Sequence, residues 1–128
     1  MKITINDHRK IYVLQKSFSQ MFPFLKVEFF SKPPSTGGAS PKKLIVSPSK
    51  TIGQCRTVHS KGTLTILQQM TVNDLEQGFN DTFGLTIQVF RKSGDTWLAT
   101  TATDMWTLEK ENTIGSEMNA PTEETEVL

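Results

Sequence analysis

The chain has 128 residues, enough for one domain with its own core. Its ordinary hydrophobic (36%) and charged (21%) fractions point away from disordered, fibrous and membrane-embedded classes. The net charge of +1 hides a division between the halves: residues 1–61 carry eleven Lys/Arg against Asp7 and Glu28, and residues 62–128 carry three against eleven Asp/Glu. Such asymmetry points to nucleic-acid contact or an acidic tail.

Met1 to His8 turns polar too early for a signal peptide, and no apolar run approaches the roughly 20 residues a bilayer requires. With Cys55 as the lone cysteine, a reducing, cytoplasmic setting is the expectation.

Taken in order, Lys2-Ile3-Thr4-Ile5 predicts a strand, and Ile11, Leu14, Phe18 and Phe22 step as one stripe of a helix. Asp7 stands where an N-cap is expected and Pro23 closes the helix. Leu25, Val27 and Phe29 then alternate along a second strand. The pattern returns: Thr63–Ile66, then Val72, Leu75, Phe79 and Phe83 follow at an offset of 61. Thr71 is the expected cap and Gly84 the expected stop; Leu85, Ile87 and Val89 follow at an offset of 60. Two β-α-β repeats are therefore predicted, about 1–32 and 62–92, around an inserted segment, 33–61.

Within the insertion, Pro33 to Pro41 reads as loop, Lys42 to Val46 as a short edge strand, and 52–58 as a helical turn or two. Arg91 to Asp95 predicts a hairpin turn into the strand Thr96–Thr101, and a last helix runs from about Asp104 to Asn112 with Gly115 as its stop. Residues 117–128 read as an acidic flexible tail beyond a single α/β domain over 1–116. The expected class is α+β, an α/β sandwich: a mixed sheet of four to five strands with parallel crossovers and helices mainly on one face. A ferredoxin-like plan is the first expectation and a β-grasp-like one the alternative.

Chemistry-bearing patterns are sparse. Ser35 to Ser40 lacks the spacing of a phosphate-wrapping loop. Cys55 and His59, with His8, fall short of a zinc set, and a Cys–His nucleophile would have only Arg56 to lower its thiol pKa. Asp74, Glu76 and Asp104 do not converge. Ser40-Pro41 and Ser47-Pro48 read as turns, and Glu126-Val127-Leu128 as the end of the tail. No catalytic constellation, cofactor or metal is implied.

Phe30 and Phe90 occupy matched positions on the strand faces opposite the core, among Lys26, Glu28, Thr86 and Gln88. Aromatics on an open sheet can stack single-stranded bases, with Lys32, Lys42, Lys43, Lys50, Arg56 and Lys61 contacting phosphates. A covering segment would bury both rings instead. Trp97 is expected in the core; Trp106 is a core residue or a partner anchor. The candidate binding face is thus Phe30, Phe90, Trp106, Lys42, Lys43, Lys50 and Arg56.

The stretch Val89-Phe90-Arg91-Lys92-Ser93-Gly94, with Trp97-Leu98, Thr100-Thr101, Thr103-Asp104 and Trp106-Thr107-Leu108, resembles a family of small uncharacterised bacterial proteins. The resemblance covers most of 1–115, implies a bacterial cytoplasmic protein and brings no activity with it. The leading expectation is a non-enzymatic protein-interaction module, self-associating through a sheet face or edge. A single-stranded nucleic-acid binder and a small enzyme with an unrecognised site are the alternatives.

Overall fold

The computed structural model describes residues 1–30 and 45–119. The predicted loop at 33–41, Lys32, Lys42, Lys43 and the tail from 120 lie outside these described residues. The elements are β1 (Lys2–Thr4), α1 (Ile11–Met21), β2 (Leu25–Phe30), β3 (Thr63–Thr65), α2 (Val72–Phe83), β4 (Thr86–Ser93), β5 (Thr96–Ala99) and α3 (Leu108–Asn119), with 3-10 turns at Gly53–Cys55 and Thr101–Thr103.

Helix α2 begins and ends as its sequence dictates. The Thr71 side chain accepts the Asp74 backbone N–H while the Asp74 carboxylate accepts that of Thr71, so two otherwise orphaned donors are satisfied reciprocally. Gly84 closes it at φ +65°, a conformation open to glycine without steric cost. Helix α1 differs. Asp7 does not cap it; the helix starts after Lys10, which gives no side-chain cap. The Ile11 and Tyr12 N–H groups donate instead to the carbonyls of Lys50 and Pro48. The apolar stripes Ile11, Leu14, Phe18, Phe22 and Val72, Leu75, Phe79, Phe83 pack with Leu25, Val27, Phe29, Leu85, Ile87 and Val89 into one buried cluster.

The single mixed sheet is not found. The chain is α+β with two antiparallel sheets, β1–β3 and β2–β4–β5, and no parallel pair among the described residues. The ferredoxin-like and β-grasp-like plans both fail on this point. The physical reason is that β1 and β2 of one repeat lie in different sheets, each pairing with its counterpart in the other repeat. Ile3 stands opposite Leu64, and Glu28 opposite Gln88. These are repeat-equivalent residues, so each pairing is centred on a local pseudo-twofold between the repeats.

The symmetry reaches into the segment read as an insertion. Ile11 N–H donates to Lys50 as Val72 N–H donates to Trp106, and Ile52 N–H donates to Arg9 as Leu108 N–H donates to Met70. Val46 N–H reaches the Phe29 carbonyl as Thr100 N–H reaches that of Val89. The insertion and the C-terminal hairpin and helix are therefore two versions of one arm. Each arm starts on its own repeat and ends on the other. Arg56 donates to the Phe83 carbonyl at the exit of α2, while Asn112 accepts the Phe24 N–H at the exit of α1.

Gly115 does not stop α3, which continues to Asn119. A Cβ at Gly115 would meet Phe24 Cβ at 2.8 Å, so this glycine lets the helix approach the α1–β2 turn. Residues 117–119, read as tail, are its last turn.

Candidate interaction surface

The β4–β5 hairpin decides what the sheet shows outward. Ser93-Gly94-Asp95-Thr96 turns with Gly94 at φ +59° in the first central position, as a type II′ turn requires. The register then places Trp97 opposite Lys92 and Ala99 opposite Phe90. Paired residues share a face, so Trp97 joins Phe90 on the outer face, and Lys26 joins them from β2. Lys26 Nζ lies 5.0 Å from the Trp97 ring centroid and 5.4 Å from that of Phe90, and 3.3 Å from a Glu28 carboxylate oxygen. The ammonium is thus held between two ring faces and an acid.

Phe30 is on the same face but at its far end, opposite Thr86, with Glu28 and Gln88 between it and Phe90. Both phenylalanines are half-buried. Trp97, expected in the core, is 36% exposed, and Leu98, on the inner side of β5, is 44% exposed. All four residues of β5 are exposed. Among the described residues the strand is an edge: β2–β4–β5 ends there, whereas at the β2 side Ile45 bridges Phe30. Thr100 N–H donates inward to Val89, so by alternation the backbone groups of Trp97 and Ala99 point out from the edge.

The other candidates separate. Lys50 is exposed at the start of α1, its carbonyl engaged by Ile11. Arg56, expected to contact phosphate, is buried: Nε and Nη2 donate to Asp7 Oδ1 at 3.0 and 2.7 Å, and Nη1 to the Ser60 and Phe83 carbonyls. Its donors hold the fold together and are not presented to a ligand. Trp106 is half-buried away from the outer face, with Lys110 Nζ 4.3 Å and the Arg91 guanidinium 5.7 Å from its ring. Arg91 also pairs with Glu111, a fully buried carboxylate that accepts the Thr103 hydroxyl too.

Asp7 brings Arg56 and His59 together. His59 Nδ1–H donates to its Oδ2 at 2.8 Å, and the Arg56 hydrogen bond, opposed by burial and helped by His59, holds the carboxyl below its ordinary range. Arg56 walls two surface depressions of about 480 Å³ each, one reaching Cys55 and Gly84, the other Asp7, His8 and Lys61. Burial pushes the Cys55 thiol up to about 11 against the opposing pull of Arg56, so at neutral pH it is a protonated, weak nucleophile. Among the described residues no group of three or more His, Cys, Asp or Glu side chains is placed to hold a metal, and no helix is long and apolar enough to cross a membrane.

No protein-family model, curated protein or solved structure matches the chain. The geometry alone therefore carries the functional argument. Alternation places Phe30 and Phe90 on the strand faces opposite the core, where they lie, but Trp97, expected in the core, shares that outer face. The available signal was the Gly-Asp turn, which fixes the hairpin register and with it the face on which Trp97 falls.

Proposed function

We propose that the chain is a non-enzymatic protein-interaction module, one α/β unit whose working surface is β5 with the adjoining outer face of the sheet. The observation that carries this reading is an edge strand exposing Trp97 on one face and Leu98 on the other, with its outer backbone groups unclaimed among the described residues. An edge of this kind can add an extended segment by main-chain hydrogen bonding while side chains on alternate sides set specificity. Tryptophan adds a large apolar area with little rotamer freedom to lose. The bacterial cytoplasmic setting implied by the resemblance belongs to the same proposal.

The test is selection from a displayed library of extended peptides against the wild type and Trp97→Ser. The reading expects enrichment of alternating apolar peptides on the wild type and its loss on the variant. No enrichment on the wild type, or equal enrichment on both, contradicts it.

A second reading is supported by the company Trp97 keeps. Phe90, Trp97 and Phe30 share a face with Lys26 and Lys92, the residue types that stack bases and contact phosphates. It expects binding of short single-stranded RNA or DNA that weakens steeply with salt. Absence of binding at low salt retires it.

A further inference from the structure

We propose that the partner at β5 is a second molecule of this chain, the two β5 strands pairing antiparallel about Leu98 to continue the sheet across a molecular twofold. The inference rests on the interaction-module reading and names its partner.

Three observations point to self-pairing. First, Thr96, Trp97, Leu98 and Ala99 include no lysine, proline or other charge, the devices that ordinarily blunt an exposed edge. A charged strand brought against its own image opposes like charges; this one opposes none.

Second, the strand complements itself. Centring on Leu98 sets the outward backbone groups of Trp97 against those of Ala99 in the second molecule, and the reverse, so each can exchange both its hydrogen bonds. On the outer face the indole then lies over a methyl group, and on the inner face the two exposed Leu98 side chains meet. Residue 95 falls opposite residue 101, so Asp95 at each hairpin tip faces Thr101 rather than the other aspartate.

Third, the other side of the sheet is engaged. The Phe29 carbonyl there accepts the Val46 N–H, and Ile45 bridges Phe30. Pairing at β5 is therefore isologous and closes as a dimer rather than growing into a fibre.

The test is sedimentation velocity of the full chain from low micromolar to near-millimolar concentration, on the wild type, Leu98→Lys and Trp97→Ser. The expected result is a concentration-dependent monomer–dimer equilibrium. Leu98→Lys should weaken it at least tenfold by setting like charges face to face, and Trp97→Ser should weaken it also. Both positions are exposed, so circular dichroism and the urea midpoint should show each variant folded; a misfolded variant leaves the wild-type measurement to decide. A wild type that stays monomeric throughout, or dimerisation unaffected by Leu98→Lys, overturns the inference. Monomeric protein that still selects Trp97-dependent peptides leaves the interaction-module reading standing without the dimer. Monomeric protein that selects none removes both.

Discussion

Replacing Gly115 with alanine sets a gain in helix propensity against a steric clash, and the structure says which wins. An alanine in place of an interior helical glycine is worth about 1 kcal/mol. The added Cβ would lie 2.8 Å from Phe24 Cβ, 3.3 Å from the Phe24 carbonyl oxygen and 3.2 Å from Arg91 Cγ. Two of these atoms belong to the backbone or the root of a side chain and cannot rotate away, so α3 must move off the sheet. Overpacking of this kind costs about 1–3 kcal/mol. Helix α3 would also drag Glu111 away from Arg91. The net expectation is a loss of up to about 2 kcal/mol, read in urea as a fall in midpoint of up to about 1 M.

Gly78 is the control. Its added Cβ would meet Leu64 Cδ1 at 2.9 Å, the far end of a half-buried side chain that can rotate aside. Gly78→Ala should be neutral or stabilising by up to about 1 kcal/mol. Equal stabilisation by both substitutions would refute the close approach of α3 to Phe24.

Asp7→Asn should destabilise, because buried Arg56 loses its counter-charge, and should flatten the acid limb of the stability curve. The Asp7 pKa is depressed in the folded chain, so its contribution is complete above the ordinary carboxyl value of 3.8 and disappears as pH falls through the lower folded value. Wild type and variant losing stability in parallel over that range would contradict the Asp7–Arg56 clamp. Glu111→Ala should cost about 3–5 kcal/mol in urea unfolding, since the Arg91 guanidinium then has no buried carboxylate to face. A change under about 1 kcal/mol would show that the pair is not buried in solution. Cys55 in the native protein should react with a thiol reagent at neutral pH far more slowly than in urea-unfolded chain, because its pKa is about 11 and burial shields it. Equal rates would contradict this.

The elements were legible where the chemistry is local. Thr71 and Asp74 announce the start of α2, Gly84 its end, and Gly94-Asp95 the hairpin, because each acts through bonds a few residues away. The alternation of Leu25, Val27, Phe29 and of Leu85, Ile87, Val89 correctly assigned the buried face. It could not say which strand lies beside which: period-2 patterning names a face and leaves the neighbour open. That is why a parallel crossover was expected between β1 and β2, which instead lie in different sheets and pair antiparallel with β3 and β4. The arms were illegible for another reason. Their equivalence runs through backbone hydrogen bonds, which place Lys50 with Trp106 and Ile52 with Leu108, so side chains as different as lysine and tryptophan hold the same place. Asp7 is not the cap because α1 starts at Ile11, with Lys10 in the place that Thr71 holds in the other repeat; the Asp7 carboxylate binds Arg56, 49 positions away. Of the candidate face, alternation gave the side on which Phe30 and Phe90 lie; Arg56 is buried instead of exposed because a cation in sequence looks the same whether it meets solvent or a carbonyl.

The most direct test is amide hydrogen exchange of Trp97 and Ala99, whose N–H groups point outward from the edge. Exchange should be fast in dilute protein and slow markedly, at β5 and its flanks alone, as concentration rises or a selected peptide is added. Fast exchange at every concentration, unchanged by saturating peptide, would contradict β5 as the working edge.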